Sequence, residues 1–207
     1  MSDFIDLNAV PVTRHPQDNP LSIAESWRGL AYHEAAHALT GIAAGMQLES
    51  LQLLEVDAGQ GLLGLTGSTT WAPTRAAEFD FAVECAAGAV ASRRQLEEAG
   101  LATEQVLKCI ESLHDREVAV KVLAQCGFQI VISGPAPDRG ATWREVTQAA
   151  ERAVDELWSD ITAVAEALLA SPGHRLTAEM VSAITGRPNP TTSAASPGPF
   201  PSRWRIS

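Results

Sequence analysis

Aromatic side chains are scarce, at 5% of the 207 residues, with a single tyrosine. Alanine-rich runs take their place, which favours close-packed helices over a sandwich of sheets. Basic residues are outnumbered: 15 Lys and Arg against 25 Asp and Glu give a net charge of -10. Nucleic acid is therefore not an expected partner, because phosphate binding needs clustered Lys and Arg. An anionic membrane surface is disfavoured for the same reason. Cysteine is limited to Cys85, Cys109 and Cys126, odd in number, far apart and without a Cys-x-x-Cys. That excludes a disulfide framework and a thiolate zinc site. Three buried, reduced thiols are the expectation. No run of about 18 uncharged apolar residues occurs, so no membrane-spanning helix is expected. The acidic start, Met1 to Asp6, has no apolar stretch of signal-peptide length, and a cytoplasmic location follows as an expectation.

Against these absences stands one dense motif. Ala31-Tyr32-His33-Glu34-Ala35-Ala36-His37-Ala38-Leu39 holds a His-Glu-x-x-His pattern inside an uninterrupted helical segment. Four residues apart on a helix, His33 and His37 project from one face. Two imidazole nitrogens can then reach one zinc ion at about 2.0–2.1 Å each. Glu34 lies about 100° around the helix, too far to share the ion easily but able to reach a water beside it. Zinc lowers the pKa of such a water, and a carboxylate can take its proton and pass it to a leaving amine. Ser22-Ile23-Ala24-Glu25 reads as a capping box at the start of this helix, and Gly45 sits where a helix stops.

The remaining chain reads as a mainly α domain over residues 22–186. An extended arm (1–21) precedes it and a flexible Pro- and Ser-rich tail (187–207) follows. The motif helix spans about 23–44. Residues 48–71 suggest two short strands around the glycine-rich Asp57 to Gly61, a small β-hairpin. Gly64 and Gly67 in its second strand mark a bulge or a close backbone approach. Such a strand can cover the core, or it can hold an extended peptide beside the metal. A helix from Pro73-Thr74 to about Glu98 carries one acid, Glu84, in an otherwise apolar run. A further helix spans 103–125, a loop 127–141, and a long helix 142–170 opens on the capping box Thr142-Trp143-Arg144-Glu145. Thr177 caps a last helix to about Ile184. Trp204, between Arg203 and Arg205, is a candidate docking tip.

A catalytic zinc usually has three protein ligands and one open position. The residues themselves leave Glu84, His114 and Asp115 as candidates for the third. His114 is also a candidate for stabilising an oxyanion.

The motif segment resembles the peptidase domain of the FtsH family, the ATP-dependent zinc proteases, whose version is Ala-Tyr-His-Glu-Ala-Gly-His-Ala-Leu. Gly61-Leu62-Leu63-Gly64-Leu65-Thr66 resembles that family's strand-forming segment. His114-Asp115-Arg116-Glu117-Val118-Ala119 resembles its Asn-Asp-Leu-x-x-Ala helix. The likeness covers about residues 28–185. It implies a helical zinc-peptidase fold, His33, His37 and Asp115 as Zn2+ ligands, and Glu34 as the catalytic carboxylate. Ala36 replaces a glycine of the family, Leu65 an aromatic and Glu84 an apolar residue. No Gly-x-x-x-x-Gly-Lys-Ser/Thr stretch accompanies the motif. The function implied is a zinc metalloendopeptidase acting on unfolded or flexible polypeptides without ATP. The alternatives are a catalytically silent zinc-binding regulatory protein, or a subunit serving a separate ATPase. Expected partners are a polypeptide substrate and either that ATPase or further copies of the chain.

Overall fold

A computed structural model describes residues 20–57, 63–72, 76–110, 113–191 and 202–205. The expected N-terminal arm, the tip of the hairpin and Pro73-Thr74 lie outside them. The described chain is mainly helical with a small antiparallel sheet.

The motif helix, α1 (Ile23–Ala43), starts where the capping box predicts. Ser22 Oγ accepts from the Glu25 N–H, and Glu25 reaches back to the Ser22 N–H at 2.7 Å. Gly45 follows its end with φ of 87°, a left-handed value that favours glycine. Helix α2 (Glu78–Glu98) and helix α5 (Trp143–Ala170) pack against α1 to form the core. The facing residues are small. Ala31, Ala35 and Ala38 of α1, Ala82, Ala87 and Ala91 of α2, and Ala149, Ala150 and Ala153 of α5 are all fully buried. Short side chains let helix backbones come close enough for Ser92 Oγ of α2 to donate to the Gly29 carbonyl of α1 at 2.9 Å. Helix α5 buries Val146, Ala150, Val154, Leu157, Ile161, Val164 and Leu168, a stripe at helical spacing along its length.

Strands β1 (Leu48–Asp57) and β2 (Leu63–Trp71) pair antiparallel, with Leu53 opposite Gly67 and Leu51 opposite Thr69. The expected hairpin is larger than the sequence suggested. A third strand, β5 (Arg175–Thr177), pairs with the other side of β1, giving the order β2-β1-β5. Three residues are too few for an alternation pattern to reveal a strand. Of the expected helix over 103–125, the described residues form α3 (Glu104–Ile110) and α4 (Leu113–Gln125), with residues 111–112 outside them. Asp115 lies near the start of the described part of α4. Within the expected loop 127–141, β3 (Gln129–Val131) and β4 (Gly140–Thr142) form a short parallel pair. Gly140 lies so close to the Gln129 carbonyl that no side chain fits. Helix α6 (Ala178–Thr185) ends the domain.

Two pieces of the expected tail pack on this body. Asn189 pairs its side-chain amide with both main-chain groups of Leu48, each at 2.9 Å. The buried Asp80 of α2 accepts from the Ser202 hydroxyl and from the N–H groups of Arg203, at 2.7 Å, and Trp204, at 3.1 Å. Trp204 is itself buried. No described helix is long and apolar enough to cross a membrane.

Trp71, the last residue of β2, packs its six-membered ring against Gly41 of α1, where a Cβ would overlap the indole. The indole is buried and has little room to retreat. Gly41→Ala should therefore destabilise the fold by about 1–3 kcal/mol despite its better helix propensity. Chemical denaturation checks this; a variant as stable as the parent would show that the contact yields freely.

Candidate metal centre

The histidines of α1 face α2 and α4. Their ring centroids are 4.6 Å apart, edge to face, and the two Nε2 atoms approach to 2.9 Å. Asp115 reaches in from the first turn of α4, with Oδ2 at 3.2 Å from His33 Nε2 and 3.7 Å from His37 Nε2. These three atoms form the one group among the described residues that could hold a metal ion. The spacing suits one. A tetrahedral ion with bonds of about 2.0–2.1 Å holds its ligand atoms roughly 3.3 Å apart. The three observed separations, 2.9, 3.2 and 3.7 Å, bracket that value. Two nitrogens and a carboxylate oxygen are also a donor set that zinc accepts.

Helix α2 supplies the setting. Gly88 is packed against the pair: a Cβ there would stand 2.6 Å from both Nε2 atoms. One turn earlier, Glu84 accepts from His37 Nδ1 twice, through its main-chain carbonyl at 2.9 Å and its carboxylate at 3.1 Å. A proton held on Nδ1 leaves the Nε2 lone pair directed at the space between the three donors, as a carboxylate behind a metal-binding histidine does. Of the three candidates for the third ligand, Glu84 lies at the far nitrogen of His37, away from the point between the Nε2 atoms. The group of possible ligands does not include His114.

The electrostatics follow from burial. Loss of water by itself would lower the His37 pKa, but Glu84 and then Asp115 outweigh this and hold it well above the usual histidine range. Burial would raise Asp115, yet hydrogen bonds from His33 and His37 hold its carboxyl well below the usual carboxylate range. The two carboxylates thus favour positive charge at the point between the rings, whether a proton or a cation carries it.

Glu34 faces the sheet. It is 5% exposed and its Oε2 accepts from the Thr69 hydroxyl of β2 at 2.8 Å. Burial pushes its pKa up, opposed by the charges of His33 and His37 and by the Thr69 hydroxyl. Gly67, two residues before Thr69, lies against the same carboxyl group with no room for a side chain. The close approach expected at Gly67 is thus to Glu34. Thr69 carried no signal in the sequence, since nothing in its local pattern sets it apart from Ser68 or Thr70.

Neither Cys85 nor Cys126 belongs to the group that could hold an ion. Burial first, then the charges of Glu84 and Asp115, push the Cys85 thiol well above its usual range, so it remains protonated. The expectation of three buried thiols is corrected at Cys126, which is exposed just past the end of α4. The Cys109 side chain lies outside the described residues.

Gly88→Ala should fold, because alanine favours a helix interior over glycine by about 1 kcal/mol, but should lose most zinc uptake as the methyl enters the ion's space. Asp115→Ala should bind zinc severely less well. Glu84→Ala should keep binding, weakened about 10–100-fold. Uptake should release protons, so affinity falls as pH falls. Competition with a chromophoric chelator measures all four. Parental affinity in both Gly88→Ala and Asp115→Ala would remove the site.

Comparison with protein-family models gives no match, and comparison with curated proteins gives none.

Proposed function

We propose that this chain is a zinc-dependent metalloendopeptidase, similar to the peptidase domain of the FtsH family, acting on unfolded or flexible polypeptides. The observation that carries this reading is the convergence of His33, His37 and Asp115 on one point, with the buried carboxylate of the next residue, Glu34, turned to strand β2. Bound zinc supplies a Lewis acid and a lowered pKa for water. His33, His37 and Asp115 hold it. Glu34 takes a proton from the attacking water and returns it to the leaving amine. The upward shift of its pKa by burial suits a group that must serve as base and then as acid.

Strand β2 supports the choice of substrate. Among the described residues it pairs only with β1 and forms one edge of the sheet. An edge strand binds main chain by hydrogen bonds and so takes extended segments rather than folded surfaces. The 207 residues include no phosphate-cradling loop to drive unfolding. Folded domains expose their interiors rarely, since unfolding costs roughly 5–15 kcal/mol. Flexible segments are therefore the substrates this site can take by itself.

Glu34→Gln should keep zinc while peptide hydrolysis falls by at least about 10²–10⁴-fold, because the proton carrier is lost and the ligands remain. Zinc content and turnover of a flexible peptide, measured on one sample, decide this; parental turnover would overturn the mechanism. On a matched pair of proteins, one folded and one destabilised by a core substitution, the destabilised one should be cut preferentially, with no response to ATP. Equal cleavage of both would contradict the substrate reading. Zinc binding without any hydrolysis would point to a regulatory protein, and hydrolysis only with an added ATPase to a subunit.

A further inference from the structure

Glu34 is held from the sheet as well as from its own helix. Alternate residues of a strand share a face, and on β2 the row Leu65, Gly67, Thr69, Trp71 includes the three residues that meet α1. Gly67 and Thr69 meet Glu34, and Trp71 meets Gly41. The Thr69 hydroxyl lies 2.8 Å from Glu34 Oε2 and 3.2 Å from the Glu34 main-chain carbonyl. A hydroxyl has one hydrogen to give. The carboxylate is both the nearer and the charged acceptor, so it takes that hydrogen. Gly67 does the complementary job by lacking a side chain: a Cβ would fall on Oε1, Cγ and Cδ of Glu34. Both substitutions that would remove these features, a side chain at 67 and an apolar group at 69, act on a carboxyl group that is 5% exposed and has little water to fall back on.

We propose that Thr69 and Gly67 form a socket on β2 that fixes the Glu34 carboxylate. Thr69 anchors Oε2, and Oε1, over the bare Cα of Gly67, is the oxygen that exchanges the proton. The assignment rests on the peptidase reading. In each turnover Oε1 takes one proton from water as the water oxygen bonds to the peptide carbonyl carbon. It gives that proton to the departing nitrogen as the carbon–nitrogen bond breaks, so Glu34 ends as it began. Thr69 touches neither water nor substrate and is a positioning residue. Because β2 is also an edge of the sheet among the described residues, the strand offered to an extended substrate also sets the angle of the base against it. Displacing β2 would uncouple both at once.

The test compares Thr69→Val, which keeps the shape and removes the donor, with Thr69→Ser, which keeps the donor. With a flexible peptide as substrate, Thr69→Val should lower kcat about 10–100-fold, the equivalent of one hydrogen bond to a charged group. KM and zinc content should be unchanged, and Thr69→Ser should recover most of the loss. Gly67→Ala should lower kcat in the same way, again without loss of zinc. A second readout does not depend on turnover. The thermal midpoint of Thr69→Val should fall by roughly 5 °C, in zinc-loaded and chelated protein alike. In a Glu34→Ala background the same substitution should have a clearly smaller effect, because the carboxylate is gone and only the main-chain carbonyl remains to accept. Parental kcat in Thr69→Val, a loss that Thr69→Ser fails to recover, or equal thermal shifts in both backgrounds would overturn the proposal. If the parent chain binds zinc and cuts nothing, the peptidase reading fails. The thermal cycle then still decides whether Thr69 holds Glu34.

Discussion

The structure depends on setting two imidazoles and three carboxylates, buried or half-buried, within a core rich in alanine. Glu34, His37 and Glu84 are each only 5–7% exposed. Buried charges are costly unless they are paired and hydrogen-bonded, and each of these is. His37 lies between Glu84 and Asp115, Asp115 draws on both histidines, and Glu34 draws on Thr69. Four of these groups thus offset one another's desolvation and the Thr69 hydroxyl serves the fifth, at a point where three helices and a strand meet.

Small residues make the arrangement possible and tie the site to the packing. The alanines of α1, α2 and α5 bring the helices close enough for Ser92 to bond the backbone of its neighbour. The same closeness puts Gly88 against the imidazoles and Gly67 against Glu34, leaving no space at either for a methyl group. Gly41 admits Trp71 in the same way and pins the end of β2 to α1. The glycines therefore link the orientation of β2 to the position of Glu34. A strand held at Trp71 presents Thr69 to the carboxylate in a fixed place.

The chain ends also contribute to the body. Asn189 closes the start of β1 through its amide, and Asp80 gathers three donors from Ser202 to Trp204. Asp80, Glu84 and Gly88 follow at four-residue spacing on α2 and so lie along one face of that helix. The first anchors the C-terminal segment, the second orients His37 and the third makes space for the imidazole pair. One helix face thus carries a structural anchor and two features of the site.

Local chemistry determined much of this in the sequence itself. The helical bounds at Ile23 and Trp143 follow from capping boxes whose partners are three residues apart. The convergence of His33 and His37 follows from a four-residue spacing on one helix. Period and capping act within a turn or two, and a single sequence displays them. The third group beside the histidines was open between Glu84, His114 and Asp115, because the three sit on other helices and their direction depends on how those helices pack. Folding places Asp115 at the Nε2 atoms and sends Glu84 to the opposite nitrogen of His37. The third strand β5 and the burial of Trp204 were hidden for a related reason. Each involves three or four residues at a time, too short for a periodic signal, and each is held by partners far away in the chain. Thr69 is the clearest case: nothing about it is special until β2 lies along α1, 35 residues away, with its hydroxyl against Glu34.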